Sequence, residues 1–187
     1  MPTGSCLNPL YDEMTMSDWP REVHAELRTA LVRQVGYVPD AGLSDLIGRC
    51  RADADMVAVG LTTEEEGVGL AIGAWLGGDR TVLLMQSSGI GNCINAFAAL
   101  RICRVPLLLV VSMRGDWGET NPWQVPMGQT AEQHLETAGI VVHRADVGGD
   151  VAPTVKAGAQ MAFESHEAVA ILISQRVLGA KLFVDKL

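Results

Sequence analysis

The sequence predicts a doubly wound α/β domain, with a mainly parallel sheet that carries helices on both faces. Segments typical of strands alternate with segments typical of helices along almost the whole chain of 187 residues. Residues 107–111 are apolar on both faces, as expected for a central strand of a parallel sheet. The composition is 48% hydrophobic but only 5% aromatic, which suits a layered α/β domain better than an aromatic-rich sandwich. The length favours a single domain at residues 17–187, preceded by an irregular arm at residues 1–16.

The first third of the chain reads as two helices and two strands. A helix is predicted over residues 17–36, because Ser17 suits an N-cap, Pro20 falls in the first turn and Gly36 suits the end. The following "YVPDAG" indicates a short strand and a turn. Leu43, Leu46 and Ile47 indicate a second helix, and "MVAVG" at 56–60 indicates a buried strand.

The rest of the chain repeats this alternation more regularly. A helix that opens at Glu64 is followed by four predicted strands, which are separated by helices and by one long irregular segment at 113–128. The strands are predicted at 81–86, 106–112, 140–145 and 167–174, and the later helices at 89–103, 129–139 and 152–165. In such sheets ligands bind beyond the carboxyl ends of the strands. We therefore expect the loops "VPDAG", "GLTTEEEG", "MQSSGIGN" and "VSMRGDWGE" to share one edge.

Charge, hydropathy and cysteine spacing exclude several classes of protein. The formal charge of −8 argues against a nucleic-acid partner, and no uninterrupted apolar stretch of eighteen residues predicts a membrane span. The start of the sequence does not resemble a signal peptide. The four cysteines are scattered without metal or disulfide spacing, which favours small buried side chains in a reducing cytoplasm, and no metal ligands are expected on this chain. The four histidines are isolated from each other and from any nucleophile-like motif.

Three consecutive glutamates open the predicted helix at residues 64–76. Successive helical residues point about 100° apart, so Glu64, Glu65 and Glu66 cannot share one environment. They could simply be favoured in the first turn by the helix dipole. That explanation does not cover the glycines that recur every four residues below them, at 69, 73 and 77, since each glycine weakens a helix by roughly 1 kcal/mol relative to alanine. Close approach of another backbone would account for such a face.

Two further segments could bind a ligand or a partner. "QSSGIGN" at 86–92 lacks the lysine of a P-loop and the glycine spacing of a dinucleotide fold, and a tight turn explains it equally well. It offers hydroxyls and backbone N–H groups at a helix start, which suit an anion. The irregular segment 113–128 carries Trp117 and Trp123, and we expect it to face a partner, with Arg114 near the sheet edge.

Four segments in this order and spacing resemble the alpha subunits of sulfopyruvate decarboxylases. They are "EEEGVGLAIGAWLGG", "QSSGIGN", "PLLLVVSMRG" and "QVPMGQ", and the resemblance runs from about residue 20 to the end of the sequence. These subunits correspond to the pyrimidine-binding domain of thiamine-diphosphate-dependent enzymes. The resemblance implies that domain as the fold and decarboxylation of a small anionic 2-keto acid as the reaction, with sulfoacetaldehyde and CO₂ as products from sulfopyruvate.

The resemblance also implies site residues. In the family a glutamate at this helix start hydrogen-bonds N1′ of the cofactor's aminopyrimidine, and the family pattern places that role on Glu64, nine residues before Gly73. Cofactor contacts are further expected from Ser88, Gly89 and Asn92. Substrate contacts are expected from Asp40, Ser87 and Arg114. The family more often has serine after Pro-Asp, where this chain has Ala41.

The other half of a thiamine-diphosphate site is missing from this sequence. The G-D-G motif that precedes the Mg²⁺ ligands in these enzymes does not occur, since "GGD" at 77–79 and 148–150 has the wrong order. We therefore expect a hetero-oligomer in which a separate beta subunit holds Mg²⁺ and the diphosphate. Three alternatives stay open at this point: a phosphonopyruvate decarboxylase alpha subunit, a non-catalytic α/β partner subunit, and a nucleotide-binding domain, the last disfavoured by its glycine pattern.

Overall fold

Six strands and eight α-helices lie within residues 18–179, the part of the chain that the computed structural model describes. The expected N-terminal arm at residues 1–16 and the expected N-cap Ser17 lie outside this range. The strands are β1 (Val32–Tyr37), β2 (Val57–Gly60), β3 (Arg80–Gln86), β4 (Leu107–Ser112), β5 (Val141–Ala145) and β6 (Ala168–Ile173). The helices are α1 (Trp19–Thr29), α2 (Ser44–Ala52), α3 (Glu64–Leu76), α4 (Gly89–Cys93), α5 (Phe97–Cys103), α6 (Val125–Thr137), α7 (Gly148–Ser165) and α8 (Gln175–Leu178).

All six strands pair in parallel, in the order β2-β1-β3-β4-β6-β5. The chain leaves β1 for β2 on one side and then continues from β3 to β4 on the other side. The chain direction across the sheet therefore reverses between the paired strands β1 and β3. The crevice beyond the carboxyl ends of two such strands is a preferred ligand site in open α/β sheets. The predicted fold class is confirmed.

Two hydrophobic layers cover the two faces of the sheet. One layer packs α1, α2 and α7 against the sheet, and the other packs α3 to α6 against the opposite face. Side chains of the central strands alternate between the layers: Val82 and Leu84 face the first, whereas Leu83 and Met85 face the second. Both faces of β3 and β4 are thus buried, which explains the uninterrupted apolar runs of these strands.

The predicted helix over residues 17–36 is wrong in its second half. The helix α1 ends at Thr29, and the segment from Val32 to Tyr37 is the strand β1, which pairs with both β2 and β3. Leu31 adopts a left-handed conformation with φ 58° that separates the two elements. Burial of Val32 and Val35 in the sheet outweighs the helical pattern.

Three smaller expectations also need correction. The helix expected at 89–103 is divided into α4 and α5, and α6 begins at Val125, within the segment expected to be irregular. A short 3₁₀ helix at Pro122–Gln124 precedes it. Cys50 and Cys93 are buried as expected, but Cys103 is exposed. None of the helices within residues 18–179 combines the length and hydropathy needed to cross a bilayer.

Candidate active site

Four loops meet at the carboxyl edge of the sheet and bring the sequence-predicted residues together. Asp40 follows β1, Glu64 follows β2 and begins α3, Ser88 follows β3, and Arg114 follows β4. Hydrogen bonds link the first loop to the third, the second to the third, and the third to the fourth. The expected clustering of the four loops on one edge is confirmed.

Glu64 is a buried residue whose carboxylate has one oxygen without a hydrogen bond from residues 18–179. Its side chain lies at the first position of α3, and the residue is only 7% exposed. Asn92 Nδ2 donates to Glu64 Oε2 at 2.7 Å. Within residues 18–179 no group donates to Oε1. Because Oε1 belongs to a largely buried residue and has no donor among these residues, it is well suited to a donor or a shared proton from a ligand.

Gly89 makes room for the Glu64 side chain. A Cβ atom at position 89 would lie 2.5 Å from Cγ, Cδ and Oε1 of Glu64, a distance that real Cβ contacts do not show. Gly89 is the first residue of α4, so the start of this helix lies directly against the carboxylate. The position of the Glu64 side chain therefore requires a glycine at the first glycine position of "SSGIGN".

The three consecutive glutamates have three different environments, as their helical spacing predicts. Glu64 is buried, whereas Glu65 and Glu66 are exposed. Glu66 Oε2 accepts a hydrogen bond from the backbone N–H of Thr62 at 2.8 Å, which stabilises the start of α3. Of the three, only Glu64 has a hydrogen bond to another loop of the site within residues 18–179.

A series of hydrogen-bonded side chains crosses the carboxyl edge of the sheet between β1 and β3. Ser88 Oγ donates to Gln86 Oε1 at 2.8 Å, and Gln86 Nε2 donates to Asp40 Oδ1 at 3.1 Å. The other oxygen of Asp40 accepts from Ser112 Oγ at 2.7 Å and from the Gly42 N–H at 2.9 Å. Asp40 is therefore a fixed carboxylate held by neutral donors at the switch point of the sheet.

Ser87, a predicted substrate contact, is hydrogen-bonded to the loop after β4. The residue is fully buried, and its hydroxyl accepts from the Arg114 N–H at 3.0 Å and donates to the Arg114 carbonyl at 3.3 Å. Because the main chain of Arg114 occupies this hydroxyl, Ser87 joins the third loop to the fourth. Its neighbour Ser88 is the half-buried hydroxyl at this edge.

Arg114 forms a two-point ion pair that the sequence did not predict. Its Nε and Nη2 donate to Glu119 at 2.6 and 2.7 Å. The hydrogen bond from Arg114 is the main reason that the pKa of Glu119 falls to about 2, and the pKa of Arg114 is raised in turn. Among residues 18–179, no acceptor contacts Nη1, which stays available to an anionic ligand.

A cavity of about 160 Å³ adjoins this part of the site. It is lined by Asp40, Ala41, Gly42, Ser112, Met113, Arg114, Leu178 and Gly179. It therefore connects the loop after β1 with the loop after β4 and the end of α8. A larger cavity of about 360 Å³ lies at the opposite edge of the sheet, and none of the predicted site residues lines it.

Several residues of the site are not among the site residues predicted from the sequence. Gln86 and Ser112 end predicted strands, so only their position at the carboxyl edge could have suggested them. Glu119 and Gln175 are 56 residues apart and are joined by a hydrogen bond of 2.9 Å, a pairing that no local motif announces. Within residues 18–179, no cluster of His, Cys, Asp and Glu has the geometry of a metal site.

Comparison with known proteins identifies similar chains. No family model matches the sequence. The chain is 37% identical over 140 residues to sulfopyruvate decarboxylase subunit alpha of Methanococcus maripaludis, an alignment that covers 74% of this chain and 84% of the relative. Phosphonopyruvate decarboxylase of Streptomyces viridochromogenes is 36% identical over 89 residues, which cover 47% of this chain and 22% of that protein.

The fold also occurs in a solved structure of low sequence identity. The 2-oxoglutarate:ferredoxin oxidoreductase of Magnetococcus marinus, with 2-oxoglutarate, coenzyme A and succinyl-CoA bound, superposes with a TM-score of 0.71 at 12% identity. The match covers 87% of this chain but only 29% of that chain. At this identity the similarity concerns the fold alone.

Proposed function

The chain belongs to the sulfopyruvate decarboxylase subunit alpha family, and from this membership we propose that it is the alpha subunit of a thiamine-diphosphate-dependent 2-keto acid decarboxylase. The proposed reaction converts sulfopyruvate to sulfoacetaldehyde and CO₂ and requires a separate beta subunit. The observation that carries the proposal is the buried Glu64 carboxylate, whose Oε1 has no donor within the described chain. The unpaired cysteines at 50, 93 and 103 agree with a reducing, cytoplasmic setting.

The residues around Glu64 fit an aminopyrimidine ring. When bound, thiamine diphosphate supplies the carbon nucleophile and electron sink for decarboxylation. Glu64 would hold the proton shared with ring atom N1′, and Asn92 would fix the carboxylate through Oε2. Gly89 would keep the start of α4 close enough to enclose the pair. Ser88 would contribute its hydroxyl beside them, oriented by Gln86.

The substrate end of the proposed site lies at Asp40 and Arg114. Both residues line the 160 Å³ cavity, which is large enough for a small organic acid group. Nη1 of Arg114 would bind the anionic end of the substrate, and Asp40 would present a fixed carboxylate next to the reacting carbon. Ser87 would act indirectly, since it holds the main chain of Arg114.

A beta subunit is proposed to supply Mg²⁺ and the diphosphate site. The similar protein of Methanococcus maripaludis is named as a subunit alpha, which supports a partner chain, and this sequence lacks the G-D-G motif. Trp123 is 84% exposed in the short 3₁₀ helix before α6, and Leu76 is 81% exposed at the end of α3. We propose that the partner covers this side of the chain.

The glycine face of α3 provides a test of this interface. A Cβ atom at Gly69 or at Gly73 would meet nothing within 4 Å, so no part of residues 18–179 requires either glycine. We expect Gly73→Leu to weaken association with the beta subunit while the isolated chain keeps or gains thermal stability. Leucine is the better helix former by up to about 1 kcal/mol. Size-exclusion chromatography and thermal melts measure the two effects separately.

Gly48→Leu is the matched control for this substitution. Gly48 is also an exposed helical glycine, on α2, and a Cβ atom added there would meet nothing within 4 Å. We expect Gly48→Leu to raise the melting temperature without changing assembly. If Gly73→Leu behaves in the same way, the glycine face of α3 is solvent-exposed in the complex and the proposed interface is wrong.

Comparison of substrates tests the proposed reaction. We expect the complex of alpha and beta chains to convert sulfopyruvate with a higher kcat/KM than phosphonopyruvate, and to lose activity when thiamine diphosphate is removed. The aldehyde product and released CO₂ can be measured directly. A preference for phosphonopyruvate would favour the alternative function, that of a phosphonopyruvate decarboxylase alpha subunit, which the match to phosphonopyruvate decarboxylase supports. Absence of turnover with any 3-substituted pyruvate would favour a non-catalytic subunit.

A further inference from the structure

Gln175 is a fully buried polar residue that holds the loop after β4. It lies at the start of α8, directly after β6, and has 0% of its surface exposed. Its Oε1 accepts from the backbone N–H groups of Asp116 and Trp117, both at 3.1 Å. Its Nε2 donates to Glu119 Oε2 at 2.9 Å. Both ends of the amide are therefore used, and both bind the 114–121 loop.

Glu119 transmits this contact to Arg114. The same Oε2 that accepts from Gln175 also accepts from Arg114 Nε at 2.6 Å. The remaining contacts of the carboxylate are Arg114 Nη2 and the N–H groups of Gly115 and Asn121. An unbroken series of hydrogen bonds thus runs from Gln175 through Glu119 to the guanidinium of Arg114.

We propose that Gln175 is a positioning residue that sets the place of the Arg114 guanidinium at the substrate cavity. This inference rests on the proposed function, in which Arg114 binds the anionic end of the substrate. Leu178 and Gly179, at the end of the same short helix, line the cavity together with Arg114 and Asp40. The segment from Gln175 to Gly179 therefore both anchors the arginine and forms one wall of the cavity.

The amide nitrogen distinguishes this role from simple loop support. Oε1 alone would be enough to hold the loop backbone at Asp116 and Trp117. Nε2 is directed instead at the ion pair, where a hydrogen bond to a charged acceptor is stronger than one between neutral groups. Removal of Nε2 alone should therefore displace Arg114 while leaving the backbone contacts in place.

Gln175→Glu makes this change with almost no difference in size. The introduced carboxylate still accepts from the two backbone N–H groups, but it faces Glu119 at the former 2.9 Å contact without a proton between them. At about pH 8 both groups are charged and repel each other, whereas at about pH 5.5 the close pair binds one proton and the bridge reforms. The other charged side chains around position 175 are Arg114 and Asp116 of the loop, Arg144 at the end of β5, which pairs with Asp116 and Asp146, and Arg176 of α8, which stacks on Trp117.

The experiment uses the complex of full-length alpha and beta chains. We expect Gln175→Glu to raise KM for the keto acid by at least about tenfold at high pH, the scale of one hydrogen bond to a charged group, with little change in kcat. KM should approach that of the unmodified chain, measured at the same pH, as the pH falls. Amide hydrogen exchange should speed up in the 114–121 loop at high pH and slow again at low pH.

Two variants make the outcomes unambiguous. Gln160→Glu adds the same charge at an exposed position of α7 and should change neither KM nor loop exchange. Gln175→Leu removes all three side-chain hydrogen bonds and should raise loop exchange at every pH, without recovery. If Gln175→Glu matches Gln160→Glu in KM at both pH values, Gln175 does not position Arg114 and the proposal is wrong, even where loop exchange changes.

Failure of the proposed function has a different signature. If the unmodified complex turns over no keto acid, the function proposal fails. The positioning role of Gln175 is then tested by the binding of sulfoacetate, a non-reacting sulfonate, to the complex. Weaker binding of sulfoacetate to Gln175→Glu at high pH than at low pH, with no such change in Gln160→Glu, supports the positioning role. Equal binding in both variants overturns it.

Discussion

Glu64→Gln is expected to abolish decarboxylation while the chain still folds and assembles. Glutamine has the same size as glutamate and can accept the hydrogen bond that Asn92 gives to Oε2. It cannot hold the proton shared with the cofactor ring, which is the role proposed for Oε1. The loss should be at least the roughly 10²–10⁴-fold that a positioned acid–base group contributes. Turnover is measured with saturating thiamine diphosphate and the beta subunit, and folding by thermal melts.

Glu65→Gln is the matched control, since it removes the same charge from the same helix turn. Glu65 is exposed, and no hydrogen bond joins it to the other loops within residues 18–179, so we expect nearly unchanged turnover. Glu66→Gln is a less suitable control because Glu66 also accepts from the Thr62 N–H. Near-normal turnover of the Glu64 variant under these conditions would refute the assignment of Glu64.

Gly89→Ala is expected to lower activity strongly through the position of Glu64. The added methyl group would lie 2.5 Å from the Glu64 carboxyl group, so either the carboxylate or the start of α4 must move. A displacement of about 1 Å at a reacting group can reduce the rate by about 10²-fold. Steady-state kinetics measure the loss, and calorimetric titration with thiamine diphosphate should show weaker binding to the complex.

Gly91→Ala provides the comparison for this substitution. A Cβ atom at Gly91 would meet only the side chain of Met127, at 3.8 Å, which is an ordinary contact. Both variants add one methyl group to the same short helix, so a general effect on helix stability should appear in both. If the two variants have equal activity, Gly89 is not needed for the placement of Glu64.

The strands were predictable because they carry a signal that does not depend on distant partners. The runs at 81–86 and 106–112 are apolar on both faces, and each strand is found within one residue of its predicted bounds. Residues 32–37 carry a conflicting signal, since Leu27, Leu31 and Val35 continue the four-residue spacing of a helix. The pairing of β1 with β2 and β3 decides the structure there, and this pairing involves residues that are distant in sequence.

The same distinction explains which site residues could be predicted. The rule that ligands bind at carboxyl ends points to the loops that carry Glu64, Ser88 and Asp40, and the family resemblance selects these residues within the loops. The contacts of Glu119 and Gln175 depend on the path of the 114–121 loop, which no periodic pattern determines. Ser87 and Ser88 are equivalent in sequence terms, and only the structure separates the buried hydroxyl from the half-buried one.

The two hydrogen bonds of the Gln86 side chain limit how the substrate range of this chain can be changed by mutation. Its amide has one oxygen, which serves Ser88, and one nitrogen, which serves Asp40. The cofactor and substrate ends of the proposed site are thus coupled through a single strand residue, and substitutions at either end are expected to be epistatic with the other. In a mutant library that varies position 40 alone, each new side chain must still accept the hydrogen bond from Gln86 Nε2 or leave that donor without its partner. Libraries that vary positions 40, 86 and 88 together include the compensated combinations in which both hydrogen bonds are kept or replaced.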